Sequence, residues 1–301
     1  MNAIEMENVS KSFGAHQAVK DLSLNVPSGS IFGFIGPNGS GKSTTLRMIM
    51  HIIHADDGHI RVLGEERHSA ANDQIGYLPE ERGLYRQMKV VDLLRFFSRL
   101  KGHAVTASEI DNWLERVQLQ EWAHRKVEAL SKGMSQKVQF LATIISRPKL
   151  LLLDEPFSGL DPVNAEVIRE IMLELVRGGT TVLFSTHDML AAEAMCNQIL
   201  MIYNGKKVLD GTMQQIQAEH GGEKIRVRLN WSPGADRQLS ALPGVTGVTD
   251  LGNFQELGLS GSVDRNEILR QLMQQGTVTH FELTRPSLKD IFLQIAKGDA
   301  K

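Results

Sequence analysis

An α/β fold with a parallel sheet, followed by a smaller α+β module, is what this sequence predicts, and three observations predict it. The apolar run IFGFI at 31–35 passes through a glycine-rich stretch into helical spacing at Thr45, Leu46, Met48, Ile49 and Ile52. Two further apolar runs, LLLLDEP and TTVLFSTHD, end in polar residues and flank a helical pattern across Val163 to Val176, as a parallel βαβ unit requires. From about residue 222 the texture changes to short alternating segments.

Between the first strand and LLLLDEP lie two amphipathic patterns. Leu93, Leu94 and Phe97 mark a helix over 90–100, and Ile110, Trp113, Leu114 and Val117 mark another over 108–118. Together they form a helical insert at about 85–145. In the last part, Ile225, Val227, Leu229 and Trp231 alternate as a strand, and Asp236 to Ala241 reads as a short helix. Strands at 245–250 and 254–260, a helix at 264–275 and a strand at 277–284 complete the order βαββαβ, which suggests a small ferredoxin-like module. A helix from Ser287 to Ala296 follows. The expected organisation is therefore a domain over 1–215 and an accessory domain over 222–301.

A chain of 301 residues is long enough for about two domains with apolar cores of their own. A net charge of −2 supplies no basic field, which weighs against DNA or RNA as a partner. Cys196 is the single cysteine, so no intrachain disulfide can form, and a reducing compartment fits. The N-terminal segment carries Glu5 and Glu7 without an apolar centre, unlike a signal peptide or an anchor. No run approaches the ~18 apolar residues of a membrane span, so any membrane role requires another chain.

The stretch Gly36, Pro37, Asn38, Gly39, Ser40, Gly41, Lys42, Ser43 fits G-x-x-x-x-G-K-[ST] at a strand-to-helix junction, with Thr44 next. Glycines there let backbone N–H groups approach phosphate oxygens, and the helix adds its positive end. Lys42 is expected on the β and γ phosphates of ATP and Ser43 on Mg²⁺. Asp154 and Glu155 close an apolar strand, the first suited to holding Mg²⁺ and the second to activating the attacking water. His187 ends the strand Val182 to Phe184. Taken alone, such a histidine is more often structural. His51, His54 and His59 have loose ligand-like spacing without a completing Cys or acid, and read as a surface cluster.

In order and spacing these motifs resemble the ATP-binding subunit of an ABC transporter over roughly residues 2–215. LSKGMSQ at 130–136 is similar to the family's LSGGQ signature, SGLD at 158–161 to its D-loop, and STHD at 185–188 to its switch-histidine segment. The resemblance implies a P-loop NTPase with a RecA-like core, an antiparallel β subdomain and the helical insert. It implies that Phe13 stacks on adenine, that His187 touches the γ phosphate and Glu155, and that Glu80, where many members carry Gln, reaches Mg²⁺. It also implies a head-to-tail dimer in which Ser131, Lys132, Gly133 and Asp161 of one subunit complete the partner's ATP site. Lys132 and Met134 depart from the usual Gly and Gln.

An unrelated P-loop kinase or GTPase would have no use for LSKGMSQ and STHD, whereas a soluble ABC ATPase of translation or DNA repair remains the alternative. The signature together with RPSLKDIFL in the tail is similar to the group that powers two-part sodium, drug or antibiotic exporters. That resemblance implies a separate membrane permease, with this subunit peripheral on the cytoplasmic face. The transported cargo is not written in this chain.

Overall fold

A computed structural model of the chain describes residues 1–66, 73–81, 83–220, 222–235, 238–260 and 263–298. It divides into two compact units, Met1–Thr212 and Met213–Lys301. In the first unit, β1 (Asn2–Phe13) pairs antiparallel with β2 (His16–Pro27) and β4 (Asp57–Val62), giving the order β2-β1-β4.

A six-stranded sheet forms the centre. Its strands are β3 (Ile31–Ile35), β5 (Ile75–Leu78), β6 (Leu150–Asp154), β7 (Thr181–Thr186), β8 (Gln198–Tyr203) and β9 (Lys206–Gly211). The order is β5-β6-β7-β3-β8-β9, parallel except for β9. Strands buried on both faces read as continuous apolar runs, which is why IFGFI and LLLL lack alternation in sequence. Alternation reappears in space. Ile31, Leu151, Leu153, Val182 and Phe184 join the core shared with the helical insert. Phe32, Phe34, Leu150, Leu152, Leu183 and Leu200 join the core beneath the antiparallel sheet.

The first helix, α1 (Lys42–Ile49), stops before Ile52, where helical spacing had suggested it would continue. His51 adopts a left-handed φ of 53°, which breaks the helix and leaves Ile52 exposed. The insert consists of α2 (Val90–Leu100), α3 (Ala107–Arg116) and α4 (Lys132–Ile144). A capping box fixes the start of α3, Thr106 accepting from the Glu109 N–H while the Glu109 carboxylate accepts from the Thr106 N–H. Beyond the insert, α5 (Pro162–Arg177) connects β6 to β7, and α6 (Met189–Met195) connects β7 to β8. Cys196, after α6, lies against Gly33, where an added Cβ would come within 2.6 Å of its Sγ.

The second unit opens with α7 (Met213–His220), followed by β10 (Lys224–Trp231), β11 (Val245–Asp250), β12 (Gln255–Leu259), α8 (Arg265–Gln275), β13 (Gly276–Thr284) and α9 (Leu288–Gly298). The antiparallel order β11-β12-β10-β13 puts the first strand inside the sheet, as a ferredoxin-like arrangement requires. The helix expected at Asp236 to Ala241 is a correction. Only a 3-10 turn, Leu239–Ala241, forms there, while Asp236 and Arg237 lie outside the described residues. Gln238, with φ −85° and ψ 75°, is non-helical and starts the turn late, and Leu242, extended before Pro243, ends it at the expected place. Ile225, Val227, Leu257, Ile268 and Leu272 build this unit's own core. No helix among the described residues is long and apolar enough to cross a membrane.

Because each unit has a separate core, Leu257→Ala is expected to remove about 2–5 kcal/mol from the second unit alone. Guanidinium unfolding should show one transition moved and that of Met1–Thr212 unchanged; a common shift of both would contradict separate cores.

Candidate functional site

The polar residues of interest follow the carboxyl ends of three neighbouring parallel strands, β6, β7 and β3. From β3 the chain turns through 36–41 into α1. At Gly41, φ is 110° and an added Cβ would lie 2.5 Å from the Ala18 carbonyl oxygen. The α1 N-cap is this same Gly41, without a side chain to cap the first-turn N–H groups, so those donors face whatever anion enters.

Lys42 is 6% exposed, and its Nζ donates to the carbonyls of Gly36 at 2.8 Å and Pro37 at 3.2 Å. Burial holds its pKa below the ordinary lysine value, against the opposing pull of Glu155, Asp154 and Glu80. The Ser40 Oγ is buried and has no hydrogen-bond partner among the described residues. A glycine cradle, a buried ammonium and an unpaired hydroxyl together fit a polyphosphate.

Strand β6 delivers the two acids. Asp154 is 2% exposed and accepts a short hydrogen bond from the Ser185 Oγ. Glu155 adopts a left-handed φ of 50°, a strained conformation of the kind found at functional sites. Its N–H is held by the Ser185 carbonyl at 3.1 Å and Oγ at 3.3 Å. Four contacts then aim its carboxylate: the Thr186 hydroxyl at 3.3 Å, the His187 N–H at 3.0 Å, the His187 Nδ1 at 2.8 Å and the Lys42 Nζ at 3.9 Å. Thr186 accepts from the Asp188 N–H, and Asp188 caps α6, which fixes the turn that presents His187. The His187 side chain remains 58% exposed.

Lys42, Asp154 and Glu155 border a cleft of about 460 Å³, while His187 lies outside its lining and reaches it through Glu155. Asn38, Gly39, Gly41, Lys42, Ser43 and Thr44 line it from the loop, Phe13 from the end of β1, and Glu80, Asp154 and Glu155 from the acidic side. Gly36, Pro37 and Ser40 stand behind these, the first two bonded to Lys42. Oxygen donors from Ser43, Asp154 and Glu80 in one cleft match the hard-ligand chemistry of Mg²⁺.

Sequence reasoning missed His16 and Ala18, which also line the cleft, and the anchoring roles of Ser185 and Thr186. The signal for His16 was its place across the two-residue turn from Phe13, its register partner. Ser185 and Thr186 belong to the STHD segment, whose spacing does not show that their hydroxyls hold Asp154 and Glu155.

Ser131, Lys132, Gly133 and Asp161 do not line this cleft. Ser131 caps α4 by accepting from the Met134 N–H at 3.3 Å, Lys132 is the first residue of that helix, and a Cβ added at Gly133 would lie 3.8 Å from the Leu160 side chain. Asp161 caps α5, accepting from the Asn164 N–H, and these hydrogen bonds hold its carboxyl below the usual carboxylate range. His51, His54 and His59 line a separate pocket, and no group of three potential ligands among the described residues is placed to hold a metal ion.

Gly39 and Gly41 separate conformational strain from steric contact. Both have positive φ, but an added Cβ at Gly39 meets nothing within 4 Å. Gly41→Ala should therefore cost more than about 1 kcal/mol and more than Gly39→Ala. Chemical denaturation of both variants checks this order, and equal losses would refute it.

The ABC transporter family profile matches residues 19–158, and the profile of the ATP-binding protein DrrA1-3-like C-terminal domain matches residues 211–296. The uncharacterized ABC transporter ATP-binding protein YhaQ of Bacillus subtilis (strain 168) is 38% identical, with 97% of each chain covered. The daunorubicin resistance ATP-binding protein DrrA3 of Streptomyces coeruleorubidus is 32% identical, covering 99% of this chain and 97% of its own. A solved structure titled as the ATP binding subunit of an ABC transporter superposes with a TM-score of 0.66 at 29% identity, covering 72% of this chain and 92% of that one. With this cleft and these relatives, the chain belongs to the ABC transporter ATP-binding proteins, a family of nucleotide-binding, ATP-hydrolysing cassettes.

Proposed function

We propose that this chain powers an ABC exporter as a head-to-tail homodimer bound to separate integral-membrane permease chains on the cytoplasmic face. The observation that carries this reading is the split arrangement: a complete phosphate cradle with its acids in one cleft, and Ser131, Lys132, Gly133 and Asp161 outside it. A second copy of the chain, turned head to tail, supplies those four residues to the open side of the nucleotide. Export is supported by the likeness over nearly the full chain to a daunorubicin resistance protein and by the matching C-terminal family.

Within the cleft, Phe13 offers its half-exposed ring to adenine. The free N–H groups at the start of α1 and the backbone of 36–41 bind the phosphates. Lys42 gives up two neutral carbonyl partners for the β and γ phosphate oxygens, a charge-assisted exchange that favours binding. Ser43, Asp154 and Glu80 would hold Mg²⁺, whose charge would offset that of the phosphates. Glu155 takes a proton from the attacking water, and its orientation is set in advance by Thr186 and His187. The Glu80 carboxylate adds a negative charge that the commoner Gln would not, so its approach to the phosphates depends on the bound cation.

Glu155→Gln is expected to keep ATP binding, to lower turnover by about 10²–10⁴-fold, and to accumulate as an ATP-bound dimer. Size-exclusion chromatography with Mg·ATP and a phosphate-release assay check both points. Monomer alone together with near-normal hydrolysis would overturn the assignment.

The cis and trans roles separate in a second experiment. Lys42→Ala should abolish binding by its own subunit, whereas Ser131→Arg should leave monomer binding intact and block closure. Mixing the two puts both lesions in one composite site and neither in the other, so part of the activity should return. Loss of monomer ATP binding in Ser131→Arg would contradict the head-to-tail arrangement.

A further inference from the structure

Lys137, on α4 immediately after the signature segment, touches none of the groups in the cleft, yet it is only 5% exposed. Its Nζ donates to the Val117 carbonyl at 2.6 Å and to the Asn164 Oδ1 at 2.9 Å. Val117 is the C-cap of α3, so the ammonium sits on the negative end of that helix. Burial lowers the lysine pKa from its ordinary value, and the nearby Asp161 carboxylate opposes that shift.

Asn164 carries the contact onward. Its Nδ2 donates to the Asp161 Oδ2 at 2.6 Å, and its N–H donates to the Asp161 Oδ1 at 2.9 Å. An ammonium can only donate, so the Asn164 side-chain oxygen must face Lys137 and its NH₂ must face Asp161. The Asp161 carboxylate, which only accepts, favours the same amide orientation, so replacing Lys137 by a residue without a donor leaves the Asn164 oxygen without this partner and cuts the link from Asp161 to α4. The preceding residue, Gln136, donates its Nε2 to the Pro156 carbonyl at 3.1 Å, next to Glu155. Both ends of the segment from Glu155 to Asp161 are thereby latched to the helix that Ser131 caps.

We propose that Lys137 is a positioning residue, which through Asn164 holds Asp161 in fixed relation to Ser131 so that both meet the nucleotide of the partner subunit together. This rests on the head-to-tail reading given above. Lys137 touches neither nucleotide nor water, and its effect passes to the reaction through dimer closure and the placement of the segment behind Glu155.

The test uses the full chain carrying Lys137→Met, Lys137→Arg, Asn164→Ala or the Met and Ala changes combined. Nucleotide affinity of the monomer is measured with a fluorescent ATP analogue, and kcat and KM with phosphate release. Lys137→Met should leave monomer affinity within about twofold and lower kcat about tenfold or more. Lys137→Arg, which keeps a donor, should restore most of the rate. Asn164→Ala, at a half-buried helix position, should reproduce the loss, and the combined variant should be no slower than either alone, as for two parts of one linkage.

Unchanged kcat in Asn164→Ala, multiplying losses in the combined variant, or a fall in monomer affinity would each overturn the proposal. If Lys137→Met fails to fold, Asn164→Ala and Lys137→Arg still decide it. Glu155→Gln run alongside distinguishes the two levels. If it forms the ATP-bound dimer while Asn164→Ala hydrolyses normally, only the role of Lys137 falls; if it forms none, the dimer reading falls first.

Discussion

Parallel pairing of β6 with β7 and of β7 with β3 is the constraint on which the rest of this molecule depends. Parallel strands all point their carboxyl ends the same way, so a phosphate loop, an acidic pair and a histidine turn that lie far apart in sequence open onto one edge. Burial on both faces stiffens that edge, since each strand packs against a different core above and below. The residues that do chemistry need only be the first ones past the end of each strand. In β6 the register Asp154↔Ser185 turns this into chemistry, because the hydroxyl on the neighbouring strand falls level with the acid it must hold.

A second layer of order comes from residues that hold other residues. Ser185 secures the Asp154 carboxylate and the Glu155 N–H, and Thr186 reaches both Glu155 and the following turn. The strained backbone of Glu155 persists because these bonds, and not its own preference, decide its conformation. The cleft is therefore shaped before anything enters it, and the flexible partner in the arrangement is the long Lys42 side chain, whose carbonyl contacts are exchangeable.

Most of the central sheet and the phosphate cradle were legible in the sequence for a simple reason. Both depend on local signals: an apolar run of five residues, glycines at fixed offsets, and a lysine at a helix start. The edges of elements were less legible. Ile52 continued the helical period, but a left-handed residue just before it ended the helix, and no periodicity count can see that. Of the helix expected at Asp236 to Ala241 only the turn Leu239–Ala241 forms among the described residues, because Gln238 takes a non-helical ψ of 75°, which no apolar spacing announces. Ser185, Thr186, Lys137 and Asn164 were illegible in a deeper sense. Their roles depend on partners about 20 to 30 residues away, and a lysine in a helix pattern ordinarily reads as solvated.

The packing of Cys196 against Gly33 has a practical consequence. Its thiol pKa is pushed well above the ordinary cysteine range by burial, which favours the neutral form over the nucleophilic thiolate at physiological pH. With no other cysteine in the chain, a thiol introduced at an exposed position would be the dominant nucleophile toward maleimide reagents. Fluorophores or spin labels can thus be attached at introduced cysteines without first replacing Cys196, and the separation of any two chosen points followed through a catalytic cycle.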